Sequence, residues 1–138
     1  QEFFVTLGAS VPKWIVKNDA KGKEEDFAYT YDREFAVSGE PLSEITKAWE
    51  AKGQKWEMKP YLDVQCTLRS DDPEDDGTMI MPSVPKTSIP RFSGYVATVM
   101  ARGKHPSQVL TRVYMGDKVT KVQYPFFPWA FKFERNMD

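Results

Sequence analysis

The single histidine is the residue most able to act as a general base, because an imidazole gains and loses a proton near neutral pH. It lies in Lys104-His105-Pro106-Ser107, where the hydroxyl of Ser107 would be the nucleophile. Catalysis would also need a carboxylate that orients the base, and we identify no second catalytic group for it. Gly103 and Pro106 indicate a turn, so we interpret His105 as a surface-turn residue.

Carboxylates are concentrated between residues 70 and 77. Four of these residues have the spacing of the first ligand positions in a calcium-binding loop: Asp72, Glu74, Asp76 and Gly77. Such a loop also needs a glutamate at its twelfth position, and Ser83 stands there. We interpret residues 70–77 as a solvated acidic turn, with divalent-ion binding as the alternative.

Other catalytic and cofactor patterns are weak or absent. Asp32 and Glu34 have the residue types of a glycosidase pair, but they share a strand face that we expect to be exposed. Cys66 lies among apolar residues and is interpreted as a small buried hydrophobe. One cysteine and one histidine cannot form a zinc site of three or four such ligands, and no glycine-rich phosphate loop is present. We expect no catalytic site, no metal centre and no cofactor.

The net charge of −1 hides an uneven distribution along the chain. Residues 1–85 contain 10 Lys and Arg against 17 Asp and Glu, a net charge of −7, whereas residues 86–138 contain 9 against 3, a net charge of +6. If the two halves interleave in one sheet, these charges compensate each other internally. If they lie on different faces, the chain could assemble head to tail, or its basic half could bind an anionic membrane, nucleic acid or an acidic protein.

The C-terminal segment is the second informative feature. Two prolines interrupt it, and five aromatic residues lie within eight positions: Phe126, Phe127, Trp129, Phe131 and Phe133. Aromatic side chains are enriched in interface cores, so the segment either covers the core of its own domain or docks on a neighbouring subunit. We predict that these aromatic residues contact a partner together with four cations of the basic half: Arg91, Arg102, Lys104 and Arg112.

One helix is predicted over residues 41–52. Apolar side chains recur on one face of a 3.6-residue period, at Leu42, Ile45, Ala48 and Trp49. Pro41 suits the start of a helix, and Gly53 suits the residue after its end.

Strands are predicted from alternation and from apolar runs. Residues 26–38 alternate with period two and place five apolar side chains on one face, which we expect to be buried: Phe27, Tyr29, Tyr31, Phe35 and Val37. Residues 56–68 form a second half-buried strand, interrupted by Pro60. Residues 95–101 are apolar on both faces and predict a central strand, whereas residues 78–90 predict an extended segment without regular pairing. Residues 109–115 and 119–124 predict a hairpin.

These elements predict a β-rich α+β fold, a mainly antiparallel sandwich or partly open barrel with one packed helix at residues 41–52. We expect a single domain over 1–124 and an aromatic, proline-broken arm over 125–138. No run of about 18 apolar residues exists, so no transmembrane segment is expected.

The predicted function is that of a non-enzymatic structural or adaptor subunit of a larger protein assembly, such as a virion, a filament or an organelle complex. It would contact its neighbours through the aromatic C-terminal arm, the proline-rich segment and the oppositely charged halves. Its partners would be copies of itself or other protein subunits, and peripheral contact with an anionic membrane is a further option. The alternative is a β-barrel that binds single-stranded nucleic acid, with cations of residues 86–121 on the backbone and aromatic rings stacked on the bases.

Overall fold

The protein is built on one open antiparallel sheet with two α-helices. The computed structural model describes residues 2–116 and 128–137. Its strands are β1 (Glu2–Asn18), β2 (Phe27–Thr30), β3 (Trp56–Leu68), β4 (Met79–Ile80), β5 (Ser83–Pro85), β6 (Val109–Met115) and β7 (Trp129–Asn136). The helices are α1 (Leu42–Ala51) and α2 (Ile89–Ala101). The order across the sheet is β4-β3-β1-β6-β7, with β2 on β1 and β5 on β3. The predicted β-rich α+β class is confirmed.

The chain divides into two compact units. Unit 1 contains Gln1–Ser10 and Asp63–Asp138, and unit 2 contains Val11–Leu62. Unit 2 holds nine Lys and Arg against ten Asp and Glu, and unit 1 holds ten of each. The compact units therefore do not follow the acidic and basic halves of the sequence, because each unit is close to neutral by itself.

Helix α1 confirms the prediction for residues 41–52. Pro41 is its N-cap residue, and Gly53 follows its end with a φ of +75°, a conformation that glycine adopts with little strain. Leu42 and Trp49 of the helix are buried against Val16 and Ala36. This cluster, with the half-buried Ala28, Ile45 and Met58 around it, is the core of unit 2.

The strand predicted over residues 26–38 is shorter than expected, because β2 ends at Thr30. The carboxylate of Asp32 accepts hydrogen bonds from the backbone N–H groups of Glu34 and Phe35 at 2.8 and 2.9 Å. The hydroxyl of Thr30 donates to the carbonyl of Phe35 at 2.7 Å, and Arg33 has a φ of 65°. Asp and Thr side chains can replace ladder hydrogen bonds in this way, so the chain turns instead of continuing as a strand.

The buried face of this segment is also the opposite of the one predicted. Ala28, Thr30 and Ala36 face the interior of unit 2, and the aromatic residues between them are exposed. The reason is steric: Trp49 and Leu42 of α1 already fill the space above this face, so small side chains fit beneath them.

Helix α2 corrects the prediction of a central strand at residues 95–101. Pro90 lies in its first turn, and Phe92 and Val99, seven residues apart, are buried on one side of it. Tyr95 lies between them and is half-buried. Val96, Thr98 and Val99 are residue types that favour strands. The segment is nevertheless helical, because a helix buries Phe92 and Val99 on the same side.

Several strands differ in length or pairing from the predictions. The apolar segment 3–16 has the composition of two short strands or of one bent strand broken near Pro12, and it forms part of β1, a single strand of 17 residues that continues through Pro12. β3 continues through Pro60. Residues 79–80 and 83–85 pair with β3, although this region was predicted to be unpaired. β6 has the predicted bounds, whereas the other predicted hairpin strand, residues 119–124, lies outside the described residues. None of the described helices is long and apolar enough to cross a membrane.

Candidate functional site

Three of the five aromatic residues predicted to contact a partner lie in β7, which pairs with β6. The ring of Phe131 packs against α2 in an edge-to-face contact with Phe92 at 5.2 Å and a stacked contact with Tyr95 at 6.3 Å. The backbone N–H of Trp129 donates to the hydroxyl of Ser88 at 2.9 Å. These contacts lie within unit 1 and favour the reading in which the segment covers its own core. Phe126 and Phe127 lie outside the described residues.

The four cations predicted to contact a partner are not gathered at one place. Arg91 is exposed near the start of α2. Arg112 is half-buried on β6, where its guanidinium forms an ion pair with Glu2 and lies over the ring of Tyr114. Arg102 and Lys104 are exposed at the C-terminal end of α2. They line one small pocket together with Phe133, so this part of the predicted set does come together.

The side chains of His105 and Ser107 contact each other. The imidazole Nδ1 lies 2.8 Å from the Ser107 hydroxyl and accepts the backbone N–H of Ser107 at 3.1 Å. The side chain of Gln108 completes the arrangement by accepting the backbone N–H of His105 at 2.8 Å. This is a capping box on the short helical turn Pro106–Gln108, which agrees with the interpretation of His105 as a turn residue.

The cysteine and the acidic turn also have local structural roles. Burial raises the pKa of the Cys66 thiol to about 11, so it stays protonated at neutral pH. In the acidic turn, Asp76 accepts the backbone N–H of Ser70, and Asp72 accepts that of Glu74. No group of three or more His, Cys, Asp or Glu side chains among the described residues is arranged to hold a metal ion.

The most conspicuous surface of the described residues is one that the sequence reasoning placed in the interior. Five large apolar side chains of unit 2, within eleven positions, are between 39% and 64% exposed: Phe27, Tyr29, Tyr31, Phe35 and Val37. We call these five residues the aromatic surface. The alternation that predicts a strand here was visible in the sequence, but the side that α1 covers was not.

Strand β1 extends the aromatic surface. Ile15 lies opposite Tyr29, and Lys17 lies opposite Phe27, so these side chains share one sheet face. The rings of Phe27 and Tyr29 meet edge to face at 5.2 Å. The amine of Lys13 lies 4.6 Å from the centroid of the Tyr29 ring, a cation–π contact. The result is an apolar sheet face with ammonium groups along β1.

Carboxylates lie along the same segment as the aromatic surface. Asp26, Asp32, Glu34 and Glu40 are exposed between residues 26 and 40, and the cation among them, Arg33, lies over the ring of Trp14. Hydrogen bonds from the backbone N–H groups of Phe35 and Glu34 lower the pKa of Asp32, so its carboxylate is ionised at neutral pH. The surface therefore combines apolar rings with charges of both signs.

A shallow groove of about 370 Å³ lies beside this surface, between β2 and α1. Its walls include the carboxyl-bearing side chains of Asp26, Glu40 and Glu44, and Ile45 and Trp49 contribute apolar area. Lys52 adds a cation, so the groove continues the same combination of apolar groups and charges of both signs.

No protein-family model, no curated protein and no solved structure matches this chain.

Proposed function

We propose that the protein is a non-enzymatic structural subunit of a larger protein assembly, and that it binds a second copy of itself through the aromatic surface. The observation that carries this proposal is the exposure of Phe27, Tyr29, Tyr31, Phe35 and Val37 on one unit. Phe27 and Tyr29 are in edge-to-face contact, and clusters of exposed apolar side chains mark interaction sites on proteins in water. Exposure of several aromatic rings to water is unfavourable in free energy, and a partner that covers the rings removes this unfavourable contribution.

The charges around the aromatic surface favour a copy of the same chain as the partner. Lys13 and Lys17 lie on its β1 side, and Asp32 and Glu34 lie on its turn side. A surface that carries both signs can pair with itself about a two-fold axis, each lysine facing a carboxylate of the other copy. Burial of the rings would supply most of the affinity, and the charges would set the orientation.

Single-stranded nucleic acid is the second candidate, and one observation favours it. Lys13 over the Tyr29 ring, and Lys17 opposite Phe27, place ammonium groups beside stacking surfaces on a sheet. The carboxylates of the adjoining turn count against it, because they would repel phosphates. The exposed ion pair of Lys17 with Glu25 at 3.5 Å does not distinguish the two candidates, since a phosphate and a carboxylate of a second copy would both have to compete with it.

Sedimentation velocity over about a hundredfold range of protein concentration tests the proposal, because association follows mass action. We expect the wild-type chain to associate, and the double variant Phe35→Ser, Val37→Ser to associate less. Met100→Ser is the matched control, since Met100 is an apolar side chain of unit 1 that is 57% exposed.

A wild-type chain that stays monomeric throughout would overturn self-association. Titration with fluorescent oligo-thymidylate then separates the second candidate. Binding that weakens steeply with salt and is lost in Tyr29→Ser would support nucleic-acid binding, whereas no binding would remove it.

A further inference from the structure

A small pocket in unit 1 lies where the end of α2 meets the start of β6 and the end of β7. Its volume is about 170 Å³, and it is lined by Val99, Arg102, Lys104, Val109, Phe133 and Asn136. It does not involve the aromatic surface, which belongs to unit 2. An inference about this pocket is therefore independent of the proposed function.

The floor of the pocket is apolar and firmly packed. Val99 and Val109 are buried in the core of unit 1 and hold the inner wall. Phe133 is half-buried on β7 and forms one side. A floor of two valines and a ring favours an apolar group and offers nothing to a fully hydrated ion.

The rim of the pocket is cationic. The guanidinium of Arg102 lies over the Phe133 ring at 5.8 Å, and the exposed amine-bearing side chain of Lys104 contributes the second positive charge. Asn136 adds an amide. No carboxylate lines the pocket among residues 2–116 and 128–137, so the described lining does not neutralise the two cations.

Backbone carbonyl groups at the end of α2 could also attract these cations, but two of them already accept hydrogen bonds from the chain. The carbonyl of Val99 accepts the backbone N–H groups of Arg102 and Lys104 at 3.1 and 3.3 Å, and the carbonyl of Met100 accepts that of Gly103 at 2.9 Å. Two of the last carbonyls of the helix, those of Val99 and Met100, are thus capped by the chain itself.

We propose that this pocket binds a carboxylate that carries one compact apolar group. The apolar group would lie on Val99, Val109 and Phe133, and the carboxylate would lie at the rim between Arg102 and Lys104. A guanidinium matches the planar, two-oxygen shape of a carboxylate. The volume accommodates a branched aliphatic chain about the size of a leucine side chain, so both a free short-chain acid and a peptide ending in leucine present the required chemistry.

Amide NMR spectra of the full chain, titrated with defined probes, test the proposal. We expect isocaproate to shift the signals of residues around 99–109 and 133–136, and to bind more tightly than butyrate and acetate. Isocaproamide has the same shape without the charge and is expected to bind at least about tenfold more weakly. Comparison of acetyl-Gly-Gly-Leu with isocaproate distinguishes a peptide terminus from a free acid as the preferred source, and the C-terminal amide of the peptide tests whether its carboxylate is required.

Variants separate binding from a merely structural role of the cations. Lysine and arginine at a helix C-terminus also offset the helix dipole. Arg102→Gln and Lys104→Gln are each expected to weaken isocaproate binding about tenfold. Lys132→Gln, an exposed cation of β7 that does not line the pocket, is expected to leave it unchanged.

Four results would overturn the proposal. The first is the absence of localised shifts with isocaproate in the wild-type chain. The second is equal binding of isocaproate and its amide. The third is a fall in thermal stability of Arg102→Gln and Lys104→Gln with isocaproate affinity unaltered, which would assign the cations to the helix end alone. Equal binding of inorganic phosphate would likewise exclude a role for the apolar floor.

Discussion

The hydroxyl of Tyr95 lies 2.7 Å from the hydroxyl of Thr111, and this hydrogen bond joins α2 to β6 inside unit 1. Thr111 is fully buried, and burial raises the pKa of Tyr95 above its ordinary value. Two polar groups thus satisfy each other in an otherwise apolar contact that includes the stacked ring of Phe131.

Removal of either hydroxyl should destabilise the protein. We expect Tyr95→Phe and Thr111→Val each to lower the free energy of unfolding by about 1–2 kcal/mol, because the remaining hydroxyl is left buried without this partner. Denaturant unfolding of both single variants and the double variant measures the coupling. The double variant should lose less than the sum of the single losses, and additive losses would show that the two groups do not stabilise each other.

Cys66 should make stability depend on pH in the alkaline range. Its thiol has an ordinary pKa of 9.0 and a folded pKa of about 11, so the folded state holds the proton more tightly than the unfolded state. The resulting stabilisation is complete below pH 9 and is lost as the pH rises towards about 11.

Lysines also titrate in the alkaline range, so the contribution of Cys66 has to be separated from theirs. The free energy of unfolding of the wild-type chain and of Cys66→Ala, measured at several alkaline pH values, gives this separation. The decline in stability with pH should be shallower in Cys66→Ala. Parallel curves for the two proteins would mean that the thiol is not the titrating group.

The same substitution at two glycines should have opposite effects. Gly53 has a φ of +75° after α1, so Gly53→Ala is expected to cost about 1 kcal/mol of stability. Gly94 lies within α2 with no atom within 4 Å of an added Cβ, and Gly94→Ala is expected to stabilise by about 0.5–1 kcal/mol. Thermal unfolding of the two variants checks both signs, and a loss of stability in Gly94→Ala would contradict the helical assignment of this segment.

The turn after β2 should depend on the charge of Asp32. Hydrogen bonds to the backbone N–H groups of Phe35 and Glu34 lower its pKa below 3.8. Its stabilising effect is therefore present above that pH and is lost as the pH falls below it. We expect Asp32→Ala to speed amide hydrogen exchange at Phe35 at neutral pH, whereas the neighbouring substitution Glu34→Ala should not. Equal exchange in both variants would assign the order of the turn to other contacts.

An element can be predicted from the sequence when the residues that determine it lie close to it along the chain. Helix α1 was predicted because Pro41, the apolar period and Gly53 all lie within or beside it. Helix α2 was missed because its β-branched residues resemble a strand, and its helical character depends on burial of Phe92 and Val99 against unit 1. Residue types alone do not reveal that Phe92 and Val99 are buried by tertiary contacts.

The candidate site shows the same limit. The period of two at residues 26–38 was detected, but the buried side depends on α1, which follows later in the chain. The basic half of the sequence and its aromatic C-terminal segment predict Arg102, Lys104 and Phe133 as contact residues. Their position around one pocket depends on the pairing of β6 with β7, which the sequence does not show. The aromatic residues of β7 were likewise identified, whereas their packing on α2 was not.

The discontinuity of unit 1 imposes an order on synthesis. One edge of β1 pairs with β3, and Phe4 accepts the backbone N–H of Arg69, whereas the other edge pairs Phe3 with Val113 of β6 and waits until β6 has been synthesised. Val11–Leu62 is continuous and precedes β6 in the chain. Until β6 emerges, a nascent chain therefore presents the aromatic rings of unit 2 together with one open edge of β1. Exposed apolar rings and open strand edges are the features that chaperones protect from aggregation.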